Sequence, residues 1–145
     1  MDIMFRMLLG HLTGDYLLQN QWMALNKSKN TWIGWLTATV HCILYTFAVC
    51  LFMWNFHPIW ILAVFCSHFF IDKFGLGEIY MKYIKGNGLR DYINDVDDTY
   101  SRTWINSSEG ERMITGGFKA VVYTLTDNTM HLILMWLAYQ IIYVW

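Results

Sequence analysis

Between Asn30 and Ile71 the chain contains no Asp, Glu, Lys or Arg. A membrane-crossing helix needs about 20 apolar residues, so this uncharged tract has room for two and excludes an ordinary solvated surface there. Proline occurs once and glycine ten times, which excludes a disordered or low-complexity linker. The three cysteines, Cys42, Cys50 and Cys66, are odd in number and match no zinc spacing. They read as small buried hydrophobes, not as a disulfide framework. The start at Met1–Asp2 has no basic stretch ahead of the first apolar segment, so a cleavable signal peptide is not expected. There is no Gly-rich phosphate loop, no nucleophilic Ser/His/Asp order and no dense basic patch. With 10 Lys and Arg against 11 Asp and Glu, nucleic acid is not an expected partner.

What remains is 56% hydrophobic and 18% aromatic. Apolar periodicity marks four helices, at about 3–24, 31–54, 56–74 and 120–145. The expected fold is therefore all-α: a four-helix transmembrane bundle forming a single integral membrane domain over 1–145. A polar, partly helical insertion at 75–119 separates the third and fourth helices, and its first stretch, Glu78 to Lys85, has the spacing of a surface-lying helix. Lys27 and Lys29 occupy the first connection, and Lys82, Lys85, Arg90, Arg102 and Arg112 the third, whereas the second, around Asn55 to His57, has neither Lys nor Arg. The positive-inside rule then places 75–119 in the cytoplasm and both termini outside, in a bacterial inner membrane. Trp54, Phe56, Trp60 and Trp145 would mark the outer interface, with Trp32, Trp35 and Trp104 at the inner one.

Three times a histidine and an aspartate stand four residues apart: His11 with Asp15, His68 with Asp72, and Asp127 with His131. On a helix, positions i and i+4 share a face, so each pair offers an imidazole and a carboxylate to one point. His41 is the second helix's only ionisable residue apart from Cys and Tyr. Counted from the cytoplasmic helix ends at about 1.5 Å per residue, these groups fall within a turn or so of one level. Ionisable residues inside a membrane mark functional sites by default. His11, Asp15, His41, His68, Asp72, Asp127 and His131 are accordingly the candidate metal ligands, enough for one or two ions. Mixed His/Asp ligation without thiolate points to zinc first, with manganese or iron as alternatives. Two such ions can activate water against a phosphate ester, with Asp72 bridging them or acting as base. Gln19 stands one turn toward the cytoplasm from Asp15, where it can meet a substrate headgroup. The plainer alternative for any single pair is a hydrogen-bonded staple within a helix. His57 reads as an interfacial residue, Tyr45 as packing, and Asp91, Asp95, Asp97 and Asp98 as a solvated acidic loop rather than a cation site.

The run His11-Leu12-Thr13-Gly14-Asp15-Tyr16-Leu17-Leu18-Gln19 resembles the start of a family of small bacterial and phage membrane proteins catalogued as a domain of unknown function. His41, His68-Phe69-Phe70-Ile71-Asp72 and Asp127-Asn128-Thr129-Met130-His131-Leu132 match its later motifs. The chain departs from the family's pattern at Tyr16, for Phe, and at Asn128, for Gln, which matters if that amide touches substrate. More distantly, the family is similar to membrane-bound metal-dependent hydrolases, a likeness that implies hydrolysis by analogy. The expected function is a membrane-embedded metal-dependent hydrolase of a lipid-linked phosphate or other amphiphilic ester near the cytoplasmic face. The alternatives are a metal-stabilised, non-catalytic membrane partner or inhibitor, and a metal-ion or proton carrier, which four helices would have to build as a homo-oligomer.

Overall fold

The computed structural model describes residues 2–84 and 108–144, with the side chains of 108–116, 118 and 119 excepted. Every element among the described residues is helical. Helix α1 spans Ile3–Leu12 and runs into a π-helical turn, Thr13–Leu17. Then follow α2 (Gln21–Asn26), α3 (Trp32–Met53), α4 (Pro58–Phe74), α5 (Leu76–Tyr83) and α6 (Ser108–Tyr143). The acidic loop and Arg90, Arg102 and Trp104 lie outside the described residues.

Local chemistry sets these boundaries. The first helix does not continue to residue 24 as its apolar pattern predicts. Leu18 N–H reaches back to the Thr13 carbonyl at 3.1 Å, widening the last turn, and the chain breaks at Leu18–Asn20. The Asn20 side chain then caps α2 by accepting from Met23 N–H at 2.9 Å. Thr31 caps α3 in the same way, accepting from Gly34 N–H at 3.1 Å. Trp54 closes α3 in the left-handed conformation, φ 53°. Asn55 accepts from His57 N–H at 3.1 Å, and Pro58 opens α4 at the position where its missing N–H is harmless. Gly75, at φ 60°, ends α4. The last helix starts at Ser108 rather than at residue 120, because it continues through Gly116–Gly117 instead of beginning after them.

The chain divides into two compact units, Met1–Gly75 with Thr129–Trp145, and Leu76–Asn128. In the first, α1 lies along α3. A Cβ on Gly10 would stand 2.8 Å from the Val49 Cα, and one on Gly14 would stand 2.5 Å from Tyr45 Cδ2. Two glycines four residues apart thus let the two backbones approach closely, as small-residue spacings do between membrane helices. An apolar layer is built from Met7, Val49, Met53, Trp60, Val64 and Met135. One turn further along α1, α3 and α4, that core turns polar.

The outside is the reverse. On α3, Trp32 is 80% exposed and Phe47 57%, while His41 on the same helix is 0%; Trp54, just past its end, is 77% exposed. Ile59, Leu62 and Phe70 are exposed on α4, whereas His68 and Asp72 are buried. By length and composition, α3 is the one described helix able to cross a membrane by itself, and α4 passes only when taken with α5. A buried core helix of a water-soluble protein passes the same test.

Candidate metal centre

Three helical segments meet at the polar layer. The π-helical turn brings Asp15, α3 brings His41 and Tyr45, and the last turns of α4 bring His68 and Asp72. The part of α6 within the first unit adds His131. The four histidines His11, His41, His68 and His131 are all between 0% and 3% exposed, and Asp72 is 6%.

Four donor atoms converge. His41 Nε2 lies 2.9 Å from His68 Nε2 and 3.0 Å from Asp72 Oδ2. His68 Nε2 lies 3.2 Å from that same Asp72 oxygen. Asp15 Oδ1 lies 3.4 Å from both Nε2 atoms. Zinc bonds nitrogen and oxygen at about 2.0–2.1 Å, and a tetrahedron of that size has edges of about 3.3–3.4 Å. An octahedral ion with similar bonds has adjacent donors about 3.0 Å apart. The spacings within His41, His68 and Asp72 therefore suit three donors to one small divalent cation, with Asp15 Oδ1 beside the two imidazoles. Asp15 Oδ1 is also buried and accepts no hydrogen bond among the described residues. Such an oxygen is costly to bury unless a cation or donor meets it. The donor set fits a metal ion.

A second grouping overlaps the first. Asp15, His68 and His131 also hold donor atoms within 4.8 Å of one another. Asp72 reaches toward both, since its Oδ2 faces His41 and His68 while its Oδ1 lies 3.4 Å from His131 Nε2. A carboxylate so placed can bridge two positions.

The surroundings hold these groups in place. The Tyr45 hydroxyl shares a 3.0 Å hydrogen bond with His11 Nδ1, and the Tyr45 ring stacks on His68 at 3.5 Å between centroids. His11 Nδ1 lies 3.5 Å from Asp15 Oδ2. His11 therefore stands behind the Asp15 carboxylate, one remove from the four converging atoms. Such outer partners orient the residues that bind. Tyr45, expected only to pack, fixes two of the site's imidazoles. Gln19 Nε2 lies 3.2 Å from His41 Nε2 and 3.4 Å from its Nδ1, so the predicted headgroup residue sits against the His41 imidazole.

Two lysines outside the predicted set of site residues also belong here. Lys27 Nζ donates to Asp72 Oδ2 at 2.6 Å. Lys73, 5% exposed, donates to the Lys29 carbonyl at 2.7 Å and to the Lys27 carbonyl at 3.4 Å. Its ammonium also stands 4.4 Å from the Trp35 ring centre. No local signal in the sequence ties Lys27 to Asp72, 45 positions away. Asp127 and Asn128 belong to the second unit and are half-buried there, and a Cβ on Gly77 would run into the Asp127 carboxylate. His57 is exposed at the start of α4 with its ring edge-on to Tyr143.

Fold and site together define a helical protein whose buried histidine–carboxylate cluster can hold a metal ion. The chain belongs to the family described as Protein of unknown function (DUF3307), matched over residues 3–145. The resemblance carried by the His/Asp motifs is borne out at that level. No curated protein and no solved structure matches the chain.

Proposed function

We propose that this protein is a membrane-embedded, metal-dependent hydrolase acting on a lipid-linked phosphate or other amphiphilic ester near the cytoplasmic face. The observation that carries this reading is the buried trio His41, His68 and Asp72, whose donor atoms lie 2.9–3.2 Å apart with Asp15 Oδ1 3.4 Å from both imidazole nitrogens, beneath an apolar exterior. A site of this kind in a water-soluble enzyme would be walled by apolar groups and covered by polar ones. Here the apolar groups are outside, which suits a bilayer as solvent. In this scheme α1 with α2, α3, α4 and α6 are the four membrane elements, and the lysine-rich connections face the cytoplasm.

Asp15, His41, His68 and Asp72 would hold zinc, or manganese or iron in its place. A metal so held supplies Lewis acidity and a water activated at neutral pH. Asp72 links the two overlapping donor sets through its two oxygens. His131, beside Asp72 Oδ1, is placed to take a second ion or a proton. His11 and Tyr45 orient Asp15 and His68. The Asp15 and Lys27 side chains, 13% and 17% exposed, form the open edge through which an ester group would enter.

The test is turnover of polyprenyl phosphates and phospholipids by detergent-purified, metal-loaded protein. Hydrolysis lost on chelation and restored by zinc or manganese supports the reading. A loaded protein inert toward both classes removes it. The near-complete burial of the imidazoles favours one second reading, a metal that only staples the bundle of a non-catalytic membrane partner. In that case chelation melts the bundle and no substrate is found. Transport is disfavoured by donors gathered at one level instead of strung along a path.

A further inference from the structure

We infer that Lys27 is the internal counter-cation of the donor cluster and, once a metal displaces it, the residue that recognises the substrate's anionic group, a phosphate monoester. The inference rests on the metal-centre reading above. Its first ground is competition for one atom. Asp72 Oδ2 accepts from Lys27 Nζ at 2.6 Å and is the same oxygen that faces His41 Nε2 at 3.0 Å and His68 Nε2 at 3.2 Å. An ammonium and a divalent ion on one oxygen repel each other strongly in a dry interior. The ammonium offsets the Asp15 and Asp72 carboxylates when no metal is bound, and it yields Oδ2 when one is.

The second ground is where the displaced ammonium can go. Lys27 closes α2, its N–H donating to the Met23 carbonyl at 3.0 Å. Its own carbonyl and that of Lys29 accept from Lys73, the residue after Asp72. The backbone of this turn is thus strapped to the end of α4, and only the side chain is able to swing. That side chain is 17% exposed against 3% for Asp72, so it stands on the outer edge of the cluster, as Asp15 does at 13%. A phosphate oxygen approaching a metal held by Asp15 and Asp72 would pass this ammonium, a point charge suited to phosphate. Lys29, by contrast, is exposed and donates to Asn26 Oδ1 at 3.0 Å.

The experiment uses full-length protein in detergent. Zinc affinity is measured by competition with a chelating dye, and binding of inorganic phosphate and of a short-chain alkyl phosphate to the zinc-loaded protein by calorimetry. Lys27→Gln is expected to bind zinc at least tenfold more tightly than wild type and both phosphates at least tenfold more weakly. Lys27→Arg and Lys29→Gln should stay near wild type in phosphate binding. Lys27→Met serves the same purpose if the Gln variant does not fold. Tighter binding of the alkyl phosphate than of inorganic phosphate assigns the anion to a lipid headgroup, and equal binding assigns it to free phosphate. Unchanged or weaker zinc affinity in both variants, or undiminished phosphate binding, overturns the inference while leaving the metal centre standing. A wild type that binds no zinc removes the metal centre itself.

Discussion

The two faces of α3 obey opposite rules. Toward the bundle it presents Thr37, His41 and Tyr45, all at or below 1% exposure, and outward it presents Trp32, Ile43, Phe47 and Leu51. A helix of the same length in a water-soluble protein would be expected to reverse this, since leaving large apolar groups in water and burying titratable ones are both costly. The inversion makes sense if the solvent outside is hydrocarbon and the groups inside have a cation to satisfy them. Lipid solvation and metal ligation are thus two halves of one account, and perturbing each face separately is the way to take it apart.

The largest effect is expected inside. Asp72→Asn removes the oxygen that faces His41, His68 and Lys27, and metal affinity should fall by more than the about 10–100-fold that outer partners are worth. The residual buried cations should also cost about 3–5 kcal/mol of stability, read by denaturant titration in detergent. Phe47→Arg attacks the outer face alone. It should reduce membrane insertion by about 2.5–3.5 kcal/mol in a glycosylation-mapping assay, while any protein that does insert keeps its full metal content. Gly14→Leu tests the seam between α1 and α3. Overpacking against Tyr45 should cost about 1–3 kcal/mol, and metal affinity should drop with it because Asp15 moves away. Tyr45→Phe keeps the stack on His68 and deletes the hydrogen bond to His11, for about 0.5–1.5 kcal/mol and a measurable loss of metal affinity. His57→Ala, on the exposed start of α4, should change stability by less than about 0.5 kcal/mol and metal content not at all.

Much of this interior could be read from spacing alone. His11 with Asp15 and His68 with Asp72 share helix faces because four residues make about one turn, and their place in or at the end of apolar stretches made them conspicuous. The lone His41 was harder to weigh, because one buried histidine has many bland explanations, yet it makes the shortest of the donor contacts. The break after the first helix was hidden, since Leu17 and Leu18 continue the apolar pattern through it. Only the reach of Leu18 N–H back to Thr13, and the capping by Asn20, reveal why the chain turns. The Gly10 and Gly14 spacing was legible but is easily passed over beside the more vivid His11 and Asp15 that it carries. Lys27 could not be placed at all without tertiary contacts, because nothing local ties it to Asp72, 45 positions away. The start of α6 was misjudged because a Gly pair ordinarily weakens a helix, and here the helix runs through it.

The account turns on whether the donor set holds a metal. The direct measurement is elemental analysis of the detergent-purified protein alongside Asp15→Ala and Asp72→Ala variants, each checked for helical content. The account predicts one or two equivalents of zinc, manganese or iron in the wild type, lost in both variants. A folded wild type free of transition metal, whose chelator-treated form takes up none on titration, would contradict it.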